Sequence, residues 1–396
     1  MGVSKKVLYS ALMIAVSVIS ALLVGEVILR AVAEDKYYVW PPNLERTFRP
    51  TPGTMPGISG DSRFMINDSG MRGRPFSEND RFRILTIGGS TTECLYLDQS
   101  ESWPQLLEDR LNSVTELPVW VGNVGKSGRN TRAHVLQVEK LLDQHSQIDL
   151  LVLLIGINDL ALRLILDIEW RPMKAENQTS YHYKVLHRAF SVYPLDRFDP
   201  FSFDYKRTGI WRLLRQVKSR IVRPVRDARF EDDVGSGYVV RRERRQRAAK
   251  MVDTLPDMTP ALEEYAENIS QIINLARERR TQLVFMTQPS MWRRDLPDSL
   301  TKLLWYGRIG EPKEATSIPY YSVEALAAAM KMYNETLLEV CKTKKANCLD
   351  LSELVPKDTN AFYDDVHFNE QGAEIVADAL SRYLRQIEIF EPRSSQ

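Results

Sequence analysis

The chain has 396 residues, 43% hydrophobic and 27% charged, with 53 Lys and Arg against 52 Asp and Glu for a formal net charge of +1. That length suits one large domain or two ordinary ones, and the composition excludes wholesale disorder. The charge balance excludes polyanion binding driven by net charge. Three cysteines without metal-site spacing (Cys94, Cys341, Cys348), beside five histidines, argue against a structural zinc.

Residues 1–30 read as a transmembrane anchor. Val7 to Gly25 is a run of 19 residues without a charge, enough to cross a bilayer core of roughly 30 Å as a helix. Lys5 and Lys6 precede it, whereas Glu26, Arg30, Glu34, Asp35 and Lys36 follow. The positive-inside bias puts the N-terminus in the cytoplasm and exports everything beyond about residue 30. Ala31-Val32-Ala33 offers an alternative, a signal-peptide cleavage site. The apolar run exceeds the ~7–15 residues of such signals, and Glu26 and Arg30 interrupt the approach, which favours an uncleaved single-pass anchor. Both readings export the domain.

Residues 31–82 read as a linker and lead-in. Pro41-Pro42, Pro50-Thr51-Pro52-Gly53 and Pro56-Gly57 argue against regular elements there, with a small hairpin expected across Phe64–Asn67 and Gly70–Gly73. From residue 83 to 390, strands and helices alternate. Strands are expected at Arg83–Ile87, Val119–Val124, Asp149–Ile155, Thr281–Thr287 and Cys348–Leu351. Helices are expected at Trp103–Val114, Thr131–Gln144, Pro260–Arg279, Val323–Cys341 and Glu370–Gln386, the last capped by Asn369. This alternation implies an α/β domain with a parallel sheet of about five strands, covered on both faces.

Residues 160–259 interrupt the pattern as an insertion. Ile210, Trp211, Leu213, Leu214, Val217 and Ile221 recur at helical spacing among arginines and a lysine, and the run Arg241–Arg247 follows. Two roles are open for this basic region in an anchored protein: resting on anionic headgroups or gripping an anionic polymer. A packed helix with a solvated charged face is the plain alternative. Nucleic acid does not suit an exported, near-neutral chain.

Chemistry gathers at the carboxyl ends of the strands. Gly88-Gly89-Ser90 ends the first, a turn able to present a nucleophile together with an outward N–H. Asn123-Val124-Gly125-Lys126-Ser127-Gly128 follows the second, and Gly156-Ile157-Asn158-Asp159 the third. Asp364-Asp365-Val366-His367 precedes the last helix, a spacing that lets a carboxylate orient an imidazole. Cys94 reads as a small core residue rather than a second nucleophile, and Cys341 with Cys348 as a possible disulfide in an oxidising compartment.

Ser90, Gly128, Asn158 and His367, in that order, resemble the four marker blocks of the SGNH subgroup of the GDSL hydrolases. The resemblance covers roughly residues 83–160 and 280–388. It implies a flavodoxin-like three-layer α/β/α fold. It also implies Ser90 as nucleophile, His367 as general base and Asp364 as its orienter. The N–H groups of Ser90 and Gly128 with the Asn158 amide would form the oxyanion hole, and no metal or organic cofactor is needed. The first block departs from the family pattern, with Gly89 where Asp is usual. The expected activity is serine esterase action on acyl esters of a cell-envelope glycan or lipid. O-acyl transfer to an exported polysaccharide is one alternative. A catalytically silent, membrane-anchored scaffold is another.

Overall fold

The computed structural model describes residues 5–32, 35–173, 185–194, 208–211, 213–214, 235–310 and 318–390. The chain divides into two compact units, Met1–Tyr37 with Val192–Asp232, and Tyr38–Ser191 with Asp233–Gln396.

In the smaller unit, α1 (Lys5–Val32) is, among the described residues, the helix long and apolar enough to cross a membrane, over Val7–Val32. Its two late charges are matched. Glu26 and Arg30 pair at 2.7 Å, and the Glu26 carboxylate also accepts from the N–H groups of Gly209 and Ile210. Residues 209–211 and 213–214 are helical, and the rest of the expected basic helix to Ile221 lies outside the described residues.

The larger unit begins with β1 (Glu45–Phe48) and β2 (Ser62–Met65), an antiparallel pair. The prolines around it therefore do not prevent a regular element. The expected hairpin reduces to a single bridge between Ile66 and Arg72, and Arg72 bridges onward to Asn123. Then follow β3 (Phe82–Gly88), α2 (Ser90–Glu93), α3 (Trp103–Val114), β4 (Val119–Asn123), α4 (Thr131–Gln144), β5 (Leu150–Leu154) and α5 (Ile157–Leu166). After these come α6 (Ser236–Gln246), β6 (Met251–Val252), α7 (Thr259–Glu278), β7 (Gln282–Met286) and β8 (Tyr320–Tyr321). The unit closes with α8 (Val323–Lys344), β9 (Asn347–Leu349) and α9 (Glu370–Gln386).

The central sheet runs β4-β3-β5-β7-β9, parallel throughout. Packing of α3 against α9 makes one outer layer, and α4 and α8 against α7 the other. Every residue of β5 is buried, as a Leu-Leu-Val-Leu-Leu strand covered on both faces must be. In α9 the inward stripe is Val376, Ala377, Leu380 and Leu384, and the Asn369 side chain accepts from the Gly372 N–H to cap it. Cys341 and Cys348 form a disulfide between the end of α8 and β9.

Two features depart from the expected boundaries. The helix that carries Asn158 continues to Leu166, past the point where the insertion was expected to begin. At the far end of the insertion, β6 pairs in parallel with β8, so this part is tied into the domain.

Chain order and spatial order differ at one place, between β3 and β5. There the neighbouring loops leave in opposite directions along the sheet and open a crevice at the carboxyl edge. Ser90 follows β3, and Asn158 follows β5.

Candidate active site

The nucleophile position is built by glycine. β3 runs buried into Gly88, and Gly89 turns the chain so that Ser90 opens α2, half-buried. A Cβ on Gly89 would overlap Asn158 Nδ2. Gly89 is therefore the residue that makes room for the candidate oxyanion amide.

Ser90 Oγ lies 2.7 Å from His367 Nε2, and His367 Nδ1 lies 2.8 Å and 2.9 Å from the two Asp364 oxygens. A proton on Nδ1 satisfies Asp364 and leaves Nε2 to accept from the serine hydroxyl. The imidazole is nearly buried and lies parallel to Tyr363, with ring centroids 5.5 Å apart, and to Trp305 at 6.4 Å.

Asp364 is fully buried and heavily bonded. It accepts from the backbone N–H groups of Val366 (3.0 Å) and His367 (2.9 Å) and from Trp305 Nε1 (2.9 Å). Burial disfavours its charge, but His367, Trp305 and Val366 outweigh this and hold the carboxyl below the usual range. Burial likewise favours a neutral imidazole, and the Asp364 charge outweighs it, so His367 titrates above the ordinary histidine value.

Asp365 has a different job. Trp292 Nε1 (2.8 Å) and the N–H groups of Trp305 (2.7 Å) and Tyr306 (3.3 Å) donate to it, which docks residues 292–306 onto the Asp-x-x-His turn. Burial, and then the charge of Asp364, push it up to about 6.

On the other side of Ser90, Gly128 adopts φ +73°, a left-handed conformation that an L side chain resists. Among the described residues no acceptor engages the N–H of Ser90 or Gly128. Asn158 Nδ2 donates one hydrogen to Arg129 O (2.8 Å), leaving its second hydrogen for a substrate oxygen. Glu93 fixes this loop: its buried carboxylate accepts from the N–H (2.7 Å) and hydroxyl of Ser127. Burial raises Glu93 against those bonds.

Arg72 buttresses the segment behind the nucleophile. Its buried guanidinium donates to the carbonyls of Glu93, Cys94, Leu97 and Asp98 and to Gln99 Oε1. Asp159 accepts from the N–H and hydroxyl of Thr131 at the start of α4. Burial pushes it up to about 7. Burial also lifts the Cys94 thiol to about 11, so that cysteine is inert packing.

Ser90, Asp364, His367, Gly128 and Asn158 thus converge on the carboxyl edge at the switch point. Trp292, Trp305, Glu93 and Arg72 were not foreseen as parts of it.

No protein-family model matches the chain, and no curated protein matches its sequence. Solved structures of similar fold exist. One is LAE5, described as an alpha/beta hydrolase enzyme from the metagenome of Lake Arreo, at 14% identity over 79% of this chain and 97% of that one, TM-score 0.38. Another is a protein of the G-D-S-L lipolytic family from Desulfitobacterium hafniense, at 11% identity over 77% and 100%, TM-score 0.37. A third is Axe2, an acetylxylan esterase from Geobacillus stearothermophilus, at 13% identity over 77% and 94%, TM-score 0.39. At such identities and TM-scores chemistry does not transfer between chains, so the side chains must carry it.

Proposed function

We propose that this chain is a serine ester hydrolase of the SGNH type, anchored in a membrane by α1 with its catalytic domain exported. The observation that carries the reading is the Ser90–His367–Asp364 line, at 2.7 Å and 2.8 Å. His367 Nε2 takes the Ser90 proton as Oγ attacks the ester carbonyl. The N–H groups of Ser90 and Gly128 and the Asn158 amide receive the negative charge that develops on the carbonyl oxygen. Collapse of the tetrahedral adduct breaks the ester C–O bond, and His367 returns the proton to the departing alkoxide. The acyl group now sits on Ser90. Water, deprotonated by His367, attacks it and releases the carboxylic acid. No metal or organic cofactor takes part.

O-acyl transfer differs only in the second half, with an acceptor hydroxyl in place of water. The cavity of about 460 Å³ onto which Gly128 and Asn158 open supports this second reading, since it has room for an acceptor. Lys5 and Lys6 before the apolar run support the exported topology, and the Cys341–Cys348 disulfide suits an oxidising compartment.

The test is turnover of short-chain aryl esters by the full chain in detergent, wild type against Ser90→Ala. Hydrolysis lost in the variant supports the esterase. A burst of one equivalent of alcohol without turnover, restored by an added alcohol, supports the transferase. An unaffected Ser90→Ala would remove Ser90 from the chemistry.

A further inference from the structure

The basic run of the insertion divides by helical phase once α6 is in place. Arg242 and Arg245, three apart, are buried and serve the fold. Arg242 donates to Thr54 O, Leu303 O and Tyr363 O, and Arg245 to Tyr306 O and Tyr321 O. Arg247 is exposed and pairs with Glu243 at 3.3 Å. That leaves Arg241 and Arg244, also three apart and hence on one face of the helix. Both are exposed, and both line the cavity onto which Gly128 and Asn158 open.

Arg188 and Arg308 line the same cavity, and no Asp or Glu is among its described lining. Among the described residues no ion pair engages Arg188, Arg241 or Arg244. Exposed arginines are usually a solvated face. Here the guanidinium groups of Arg188, Arg241 and Arg244 converge on one concavity whose described lining holds no carboxylate, and their repulsion is relieved by an anion. The Arg241 guanidinium sits 4.9 Å from the ring centroid of Trp305, whose indole donates to Asp364. The cationic wall is therefore continuous with the Ser–His–Asp line on one side and with the oxyanion residues on the other.

We propose that this cavity is a subsite for an anionic group, a carboxylate or a phosphate, carried by the ester substrate or acyl acceptor. It deepens the reading of Ser90 as an ester-cleaving nucleophile and rests on it for the location of the ester. The planar guanidinium fork donates two parallel N–H bonds to a pair of oxygens on a carboxylate or a phosphate, so these groups match the lining better than a neutral sugar or glycerol.

The experiment compares matched esters on the full chain. One arm sets an O-acetyl methyl hexuronide against the O-acetyl methyl hexoside. The other sets a short-chain acyl glycerol phosphate against the acyl glycerol. The expected result is a charged-over-neutral ratio of kcat/KM of about tenfold or more in at least one arm, falling with added salt. The arm that shows it identifies the source of the anion. The ratio collapses toward one in Arg241→Gln/Arg244→Gln and persists in Arg247→Gln. Equal kcat/KM for charged and neutral esters in both arms would overturn the proposal, as would a ratio that survives the double substitution. Binding of the same charged esters to Ser90→Ala, by calorimetry, separates the two readings. Charge-selective binding that needs Arg241 and Arg244, without turnover in the wild type, keeps the subsite and removes the catalysis. Turnover without charge preference does the reverse.

Discussion

The two sides of Ser90 are held in opposite ways. On the base side, Asp364 accepts from four groups and is fully buried, while Asp365 ties residues 292–306 onto the same turn. On the oxyanion side, Gly128 is exposed, Asn158 is half-buried, and the Ser127 contacts with Glu93 pin the loop from below. The base must keep one tautomer and one direction through both half-reactions, and redundant bonding secures that. The oxyanion donors need only be ready when charge develops, and an open loop lets a substrate carbonyl reach them. Damage on the two sides should therefore read differently.

The largest effect is expected on the base side. Asp364→Asn keeps the shape but loses the charge that selects the Nδ1–H tautomer, and kcat should fall by about 10⁴. Steady-state aryl-ester kinetics check this, and a loss under tenfold would contradict the tautomer role. On the oxyanion side, Asn158→Ala should cost about 10²–10³ in kcat with little change in KM. Gly89→Ala should approach the same loss, because the new methyl displaces the Asn158 amide without touching the triad. A rise in KM alone, with kcat intact, would count against both.

The pH profile sharpens the contrast. His367 works as a neutral base, so kcat/KM should drop as pH falls through its raised pKa, giving an acidic limb above the ordinary value of about 6.5. The ionised carboxylates near it, Asp364 first and then Asp365, are the cause, so Asp365→Asn should move that limb to lower pH. Asn158→Ala should leave it in place. Stability runs the other way. A histidine raised on folding contributes fully below its unfolded pKa, and the contribution fades as pH rises through the folded one. The His367–Asp364 pair is then most stabilising where the enzyme is inactive, and His367→Ala should cost more stability near pH 6 than near pH 9.

The smallest catalytic effect, about tenfold in kcat, is expected for Glu93→Ala, a positioning residue that acts through Ser127. Glu93→Gln keeps one acceptor and should recover part of the loss, and because the Glu93 charge is, after Asp364 and Asp365, one of those that raise His367, the pH limb should move slightly to lower pH. Arg72 tests the fold rather than the chemistry. Arg72→Leu removes the buried bonds to four carbonyls and Gln99, and should cost about 3 kcal/mol or more in denaturant unfolding. Arg72→Lys should not rescue it, since one ammonium cannot reproduce the fork.

Legibility in the sequence followed the same division. Buried parallel strands and amphipathic helices carry their own periodicity, so α3, α4 and α9 have the ends expected of them, and β5 lies within one residue of its expected bounds at each end. The four marker blocks are local in the chain, which is why Ser90, Gly128, Asn158 and His367 were visible. Trp305 and Trp292 were not. They sit in irregular loops without a period, and their bonds to Asp364 and Asp365 span 59 and 73 residues. The short strand β1 was hidden by its prolines, because its pairing with β2 comes from contacts 14 or more residues away. The run Arg241–Arg247 reads simply as charge until packing shows that Arg242 and Arg245 are buried while Arg241 and Arg244 face the cavity.

The central claim is that Ser90 is a nucleophile activated by His367. Intact mass of the full chain after incubation with a fluorophosphonate tests it directly, with wild type, Ser90→Ala and His367→Ala side by side. The account predicts one phosphonyl adduct on the wild type at Ser90, none on Ser90→Ala, and labelling slowed by orders of magnitude on His367→Ala. A folded wild-type chain that takes no label, or a label that persists in Ser90→Ala, would contradict it and favour the silent scaffold.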